Sequence, residues 1–435
     1  MFYRLTLARI RPYALVGLSL FATFSAFPQA EDATAWHMPS MMPDRVVLGI
    51  AQDPSTSMRV NWRTSIAVKE AIAEYAVAGD GPDFTKEAVK VKATTSAVFK
   101  SDLNEARYHS VEFTGLKPST VYAYRVGDGH NWSEWHQFRT TSAKPEPVSF
   151  IYVGDAQTNV YSLWSRVIRM AYSSAPETNF ILHAGDLINR HNQDHGWGEW
   201  FYGAGWINGK VPLFPVPGNH EYGLGPSGGR EITEHWRHQF NLPDNGPEGL
   251  KETCYYADVQ GVRVIGLNSN EKQDEQTPWL EKVLAENPNK WTVVTFHHPI
   301  FSASRGRDNK ELRERWQPLF DKYKVDMVLT GHDHTYGRSN LISGTNVQSK
   351  SGTVYVVSVS GPKMYKVHPQ DWMERSAERT QLYQVVRIDG DKLVYESRTA
   401  VGLLYDSFEL HKANGKPNRL VNKVPNTPNR VSNEQ

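Results

Sequence analysis

The sequence predicts an all-β sandwich followed by an α/β domain, behind an N-terminal leader. Three observations carry this reading. Residues 43–141 hold short runs of alternating apolar and polar residues separated by turn signals. Beyond a Pro-rich joint, continuous apolar runs alternate with stretches of helical spacing. The chain has 435 residues, more than one ordinary domain needs.

The leader comes first. Arg4, Arg9 and Arg11 make a positive start, no acidic residue precedes Glu31, and Tyr13 to Phe27 is a short apolar run ending near the small residue Ala30. That is the three-part pattern of a secretory signal peptide, assigned to residues 1–30. The run falls short of the roughly 20 apolar residues a spanning helix needs. Export to the periplasm or the exterior is expected, with no membrane partner once the leader is removed. Lys plus Arg number 48 against 47 Asp plus Glu, a balance that argues against a nucleic-acid partner. Cys254 is the single cysteine, so no intramolecular disulfide can form, and it is expected to pack as a small hydrophobe. Nothing in the sequence decides the oligomeric state.

Residues 40–143 form the sandwich. RVVLGIA, MRVNWRT, AEYAVAG, ARYHSVEFTGL, TVYAYRVG and EWHQFRT alternate as half-buried strands do. Trp62 is the expected core tryptophan. The stretch from Leu116 to Tyr122 resembles the corner of fibronectin type III domains, in which the tyrosine hydroxyl satisfies nearby backbone. No cluster of titratable groups falls here, so the region reads as structural rather than as a sugar- or peptide-binding module. Ser142 to Pro147 is the joint.

The α/β domain spans residues 147–411. VSFIYVGD, NFILHAGD, VPLFPVPGNH, WTVVTFHHP, VDMVLTGHDH and VYVVSVSGP each begin as an apolar strand. LWSRVIRMAYSSA, PWLEKVLAEN and KELRERWQPLFDKY between them have helical spacing. Strands apolar throughout imply sheets covered on both faces. Residues 412–435, rich in Asn, Pro and Lys, read as a flexible tail.

Five strands end directly in a polar motif: Gly154-Asp155-Ala156-Gln157, Gly185-Asp186, Gly218-Asn219-His220-Glu221, His297-His298-Pro299 and Gly331-His332-Asp333-His334. Residues just past the carboxyl ends of neighbouring strands converge on one rim, where open α/β sheets bind ligands. The glycines are expected to let the backbone turn so that the next side chain points inward. Alone, each motif has a bland explanation: an Asp caps a helix, Asn-His completes a turn, a His packs on the surface. Those explanations are independent, and five coinciding in this order is a stronger observation than any one.

The joint pattern suits phosphate-ester hydrolysis, which must neutralise phosphoryl oxygens and produce a hydroxide nucleophile near neutral pH. Two metal ions about 3.5–4 Å apart do both, and they need a bridging carboxylate with imidazole ligands. The motif set resembles the calcineurin-like metallophosphoesterase superfamily, and with the preceding sandwich its purple acid phosphatase-like branch. The resemblance implies two sheets flanked by helices in a four-layer α/β/β/α arrangement. It implies that Asp155 and His334 hold a first metal, that Asp186 bridges, and that Asn219, His297 and His332 hold a second. His220 would stand outside the metal shell as a general acid or transition-state donor, and His298 matches no ligand position. The implied reaction is attack of metal-bound hydroxide on a small-molecule phosphate ester, with monoesters favoured over diesters or nucleotide pyrophosphates.

Two positions depart from the family. Purple acid phosphatases carry an iron-binding Tyr three residues after the bridging Asp, where this chain has Asn189. Most other members carry His two residues after the first Asp, where this chain has Gln157, whose amide oxygen is the candidate replacement ligand. Without a phenolate the pair is expected to be divalent: Mn, Zn or Fe(II). Arg305 and Arg307 lie where the branch places phosphate-holding residues, and the 189–197 loop is placed to roof the site. A reading from another class, a degenerate domain used for binding or adhesion, has no need of all six core ligands.

Overall fold

The computed structural model describes residues 37–225, 228–413 and 416–432; the leader assigned to residues 1–30 lies outside them. Among the described residues no helix is long and apolar enough to cross a membrane.

In the N-terminal region, strands Asp44–Gly49, Met58–Ser65 and Glu105–Phe113 face a four-stranded sheet ordered Val89–Lys92, Ile72–Val77, Val121–Gly127, His136–Arg139. Period-2 alternation turns Met58, Val60 and Trp62 toward Tyr122, Tyr124, Val126 and Phe138 in a shared core, and Trp62 is fully buried. The Tyr122 hydroxyl accepts the Lys117 backbone N–H at 2.8 Å, so the corner forms as its sequence suggested.

The α/β region has two sheets. The first carries Val148–Val153, Phe180–His183 and Leu213–Pro215 in parallel. It continues antiparallel through Leu382–Asp389, Lys392–Thr399 and Leu404–His411. The second carries Val262–Gly266, Trp291–Thr295, Met327–Thr330 and Thr353–Val357 in parallel. Alternation divides each second-sheet strand between two cores. Val293 and Met327 pack toward the first sheet. Val294 and Val328 pack toward Leu280 of helix Gln273–Ala285 and Trp316 and Phe320 of helix Lys310–Tyr323. Helices Ser165–Ser174 and Asp194–Ala204 cover the first sheet through Ile168, Trp197 and Trp200. The result is the four-layer α/β/β/α order. Cys254 is buried in the second core.

Three features differ from the sequence reading. The sandwich and the first sheet are joined: Asp44–Gly49 pairs in parallel with Leu213–Pro215 at Gly49 and Leu213, so one twelve-stranded sheet runs through both regions. The 189–197 stretch is loop only to Gln193, because Asp194–Ala204 is helical and buries Trp197 in the core instead of over the site. The C-terminal stretch is not free: Arg419–Asn422 adds an edge strand to Leu404–His411. Arg375 donates to the Thr427 carbonyl at 2.7 Å, and Glu378 accepts the Ser432 N–H at 3.0 Å. Its Pro, Asn and Lys content is what an exposed sheet edge tolerates, so composition alone did not distinguish a tail from an edge.

Candidate metal centre

The five polar motifs leave their strands on one rim. The inward turn is made less by the glycines than by the functional residues. Asp155, Asp186, His332 and His334 hold φ of 51°, 53°, 72° and 49°, left-handed values that non-glycine residues rarely adopt. The glycines supply room: a Cβ on Gly218 would stand 2.2 Å from Asp186 Oδ1, and one on Gly331 would stand 2.3 Å from Asp155 Oδ2. Gly185 alone among the motif glycines turns left-handed, at φ 85°.

Two further carboxylates fasten these loops. Glu221, fully buried, accepts the backbone N–H groups of Asp186 at 2.9 Å, Leu187 at 2.8 Å and Gly218 at 2.7 Å. Asp333 accepts from Ser302 Oγ at 2.6 Å and the Ala303 N–H at 2.7 Å. The third and fifth motifs therefore each carry a loop clamp beside their candidate ligands. Sequence reasoning passed over both; Asp333, set between His332 and His334, had a positional signal, and Glu221, at the end of its motif, had none.

The donors meet. Asp186 Oδ2 lies 3.3 Å from His297 Nε2 and 2.7 Å from Gln157 Nε2. His297 Nε2 is 3.1 Å from both Asn219 Oδ1 and His332 Nδ1. His334 Nε2 is 3.0 Å from Gln157 Nε2 and 3.6 Å from Asp155 Oδ1. Carbonyl oxygens set three of the rings, because a carbonyl can only accept. His297 Nδ1–H donates to Ala184 O at 2.8 Å, His334 Nδ1–H to Lys363 O at 2.9 Å, and His220 Nδ1–H to Asn189 O at 2.5 Å. Each ring thereby presents Nε2 to the cluster, the arrangement that outer hydrogen bonds give to metal-ligating histidines. His220 Nε2 stands back, 3.9 Å from Asp186 Oδ2.

Asp155 and Asp186 are 0 % and 1 % exposed. Burial, opposed by His297, pushes the Asp155 carboxyl well above its usual range. Burial also works against ionisation of Asp186, but the neighbouring His297 outweighs it and holds that carboxyl low. In return Asp186 overcomes burial at His297 and lifts it to about 9. Without a cation, then, burial favours the neutral form of Asp155 while Asp186 pairs with a protonated His297. Gln157 Oε1, buried beside them, has no hydrogen-bond partner among the described residues. Carboxylate, amide and imidazole donors gathered in one buried pocket fit borderline divalent cations, whose binding would displace the protons on His297 and Asp155. Asp155, Asp186 and His297 form one group with ligand spacing, and His297, His298 and His332 form another.

The rim holds the rest. Arg307 donates to His332 O at 3.2 Å, lies 3.6 Å from Asp333 Oδ1 and covers the Tyr365 ring at 5.0 Å. Arg305, two residues earlier, is exposed, as is Asn189. Tyr365, missed from sequence, packs its ring 4.7 Å from that of His334; it lies 31 residues beyond the last motif's final His with no motif of its own. The His298 ring packs at a tilt against that of His332, centroids 4.3 Å apart, and its Nδ1 hydrogen-bonds Ser269 Oγ at 2.8 Å.

Residues 43–140 match the family model described as purple acid phosphatase, N-terminal domain, and residues 148–336 match calcineurin-like phosphoesterase. An uncharacterized protein of Mycobacterium tuberculosis is 28% identical over 338 residues, covering 68% of this chain and 62% of that protein. Purple acid phosphatase 15 of Arabidopsis thaliana is 29% identical over 296 residues, covering 60% and 54%. The chain thus spans less than two thirds of the length of either curated relative. Among solved structures, a purple acid phosphatase from yellow lupin (Lupinus luteus) seeds superposes with a TM-score of 0.74 at 20% identity, covering 86% of this chain and 75% of that one. PhoD superposes at 0.66 with 15% identity, covering 91% and 95%. These likenesses bear on the fold.

Proposed function

We propose, from the premise that the chain belongs to the calcineurin-like phosphoesterases and carries a purple acid phosphatase N-terminal domain, that it hydrolyses small phosphate esters, monoesters first, at a pair of divalent ions. The observation that carries this reading is the buried cluster in which Asp155, Asp186 and His297 lie at ligand spacing with only an imidazole to balance two carboxylates.

Asp155, His334 and the unpartnered Gln157 Oε1 would hold the first ion, Asp186 both, and Asn219, His297 and His332 the second. When bound, such ions neutralise phosphoryl oxygens and acidify water. The chain does the remainder. Its rim orients the ester: Arg307 offers a planar guanidinium suited to phosphoryl oxygens, with the exposed Arg305 as an outer contact. His220, fixed through Nδ1 by Asn189 O, turns Nε2 inward to donate a hydrogen bond or proton to the leaving oxygen. Asn189, exposed and without a phenolate, favours divalent over ferric ions. Export is proposed from residues 1–30, and the N-terminus of protein recovered outside the cytoplasm tests it.

Metal analysis combined with phosphate release from the Mn-, Zn- and Fe(II)-loaded chain tests the function. About two ions per chain together with release from monoesters sustains it. A folded chain that takes up no metal supports the binding-module reading and overturns this one.

A further inference from the structure

A cavity of about 540 Å³ opens on the second-ion side of the cluster, within the usual size of ligand pockets. Its inner end is formed by His298, Ser269, Asn270, Gln273 and Arg230. His298 ties the cavity to the centre, since its ring packs at a tilt against that of His332. Arg230, on the Arg230–Ile232 strand, donates through Nη2 to Asn219 O at 2.7 Å. That contact holds its guanidinium beside a candidate ligand.

The charges in the cavity are unevenly placed. Lys310 pairs with Glu314 at 3.5 Å, Asp308 with Arg313 at 2.5 Å, and Arg315 with Asp274. Glu311 and Arg315 also line the adjoining outer groove, so the remaining carboxylate, Glu311, belongs to the outer wall. At the inner end the charged side chain is Arg230, and its field reaches both His298 and His191. Asn270 Nδ2 is engaged by Pro217 O at 3.0 Å, while Asn270 Oδ1, buried, has no partner among the described residues. The inner cavity therefore offers one cation, tied to the backbone of the candidate ligand Asn219, and one open acceptor.

We infer that this cavity seats the leaving group, and that Arg230 selects leaving groups negatively charged close to the scissile bond, as in a phosphoanhydride. The inference rests on the phosphoesterase reading and narrows its substrate class. In the reaction the water oxygen bonds to phosphorus and the bridging P–O bond breaks, its electron pair passing to the leaving oxygen. The two water protons go to solvent or the leaving group. A departing phosphate leaves as an anion, and a guanidinium facing it strengthens as that charge develops. A carboxylate near the ester oxygen offers the same charge from another source.

The test compares metal-loaded wild type with R230A, R230K and R230E on ADP, 3-phosphoglycerate and p-nitrophenyl phosphate. Arg230 is exposed, so these variants should fold, and circular dichroism checks it. In R230A the ratio of kcat/KM for ADP to that for p-nitrophenyl phosphate should fall about tenfold, the worth of one charge-assisted contact. R230E should fall further and R230K less. Calorimetric titration with AMP should show R230A binding about tenfold more weakly. A loss confined to ADP sustains a phosphoryl subsite, and one shared with 3-phosphoglycerate sustains a general anion subsite. Equal losses on all three would make Arg230 a clamp on the reacting phosphoryl group and overturn the inference. If wild type releases phosphate from none of them, the phosphoesterase reading fails instead, and the AMP titration still decides whether Arg230 binds an anion.

Discussion

Asp155, Asp186, His332 and His334 each hold a left-handed backbone that costs of order 1–3 kcal/mol, so surrounding contacts must keep them there. Asp186 is the most committed: one oxygen accepts the His220 N–H at 2.9 Å and the other faces Gln157 and His297. Asp186→Asn should therefore lose both bound metal and turnover, read by metal content and phosphate release on folded protein; near-normal values would remove it from the shared role. His220→Ala should keep metal while turnover falls roughly 10²–10⁴-fold, the range of a positioned acid–base group. Loss of metal from that variant would make His220 a ligand. The loaded protein should be colourless, because Tyr336 gives its hydroxyl to Asp406 at 2.7 Å and Tyr222 gives its own to Glu271 at 2.6 Å. Tyr365 is the tyrosine packed against a candidate ligand. A strong visible band that vanishes in Tyr365→Phe would overturn the expectation of a phenolate-free centre.

At the scale of elements, helix Asp194–Ala204 is anchored from the sandwich. Asp194 accepts Arg45 Nη1 at 2.7 Å and Nη2 at 2.8 Å, Arg63 Nη1 at 3.2 Å and Asn104 Nδ2 at 2.8 Å. It is fully buried. Removing one member of such a network leaves buried charge unpaired, at about 3–5 kcal/mol. Asp194→Ala should lower stability by about that amount in urea titration. A change under about 1 kcal/mol would show that the network relaxes freely. The helix follows the loop that supplies Asn189 O to His220, which links sandwich side chains to the orientation of a proposed donor. Glu221 acts similarly from within its motif, and this clamping was invisible in sequence because it depends on the backbone of a loop 33 to 35 residues away.

For the whole molecule, a sheet continuous from the sandwich into the α/β layers and a buried ion network between them should make unfolding one cooperative event. Calorimetry and tryptophan fluorescence should report coincident transitions, and two resolved transitions would show the regions to be independent. Acid should weaken that structure. Burial brings His183 down to about 3 and, with Arg107 adding, His109 down to about 4, whereas an unfolded histidine titrates near 6.5. The unfolded chain therefore binds more protons below pH 6.5. The stability these neutral rings contribute is present above that value and is lost as pH falls toward the folded values. His183 alone should account for about 2 kcal/mol between pH 7 and pH 5, measurable by urea unfolding at both and absent from a folded His183→Leu variant.

Read by itself, the sequence determined the sandwich, the apolar strands and the order of polar motifs at their ends, because burial writes period-2 and period-3.6 patterns locally. It also marked, just beyond the strands, the six residues proposed as ligands, which the structure brings together. Tertiary structure alone decided the rest. Which sheet edge Asp44–Gly49 would meet, why residues 419–422 form a strand, and how Arg230 and Tyr365 come beside the centre all depend on contacts between residues far apart in the chain. Left-handed backbone at Asp186 or His334 likewise has no local signature: it persists because Glu221 and Asp333 hold those loops, a constraint that exists only once the layers have packed.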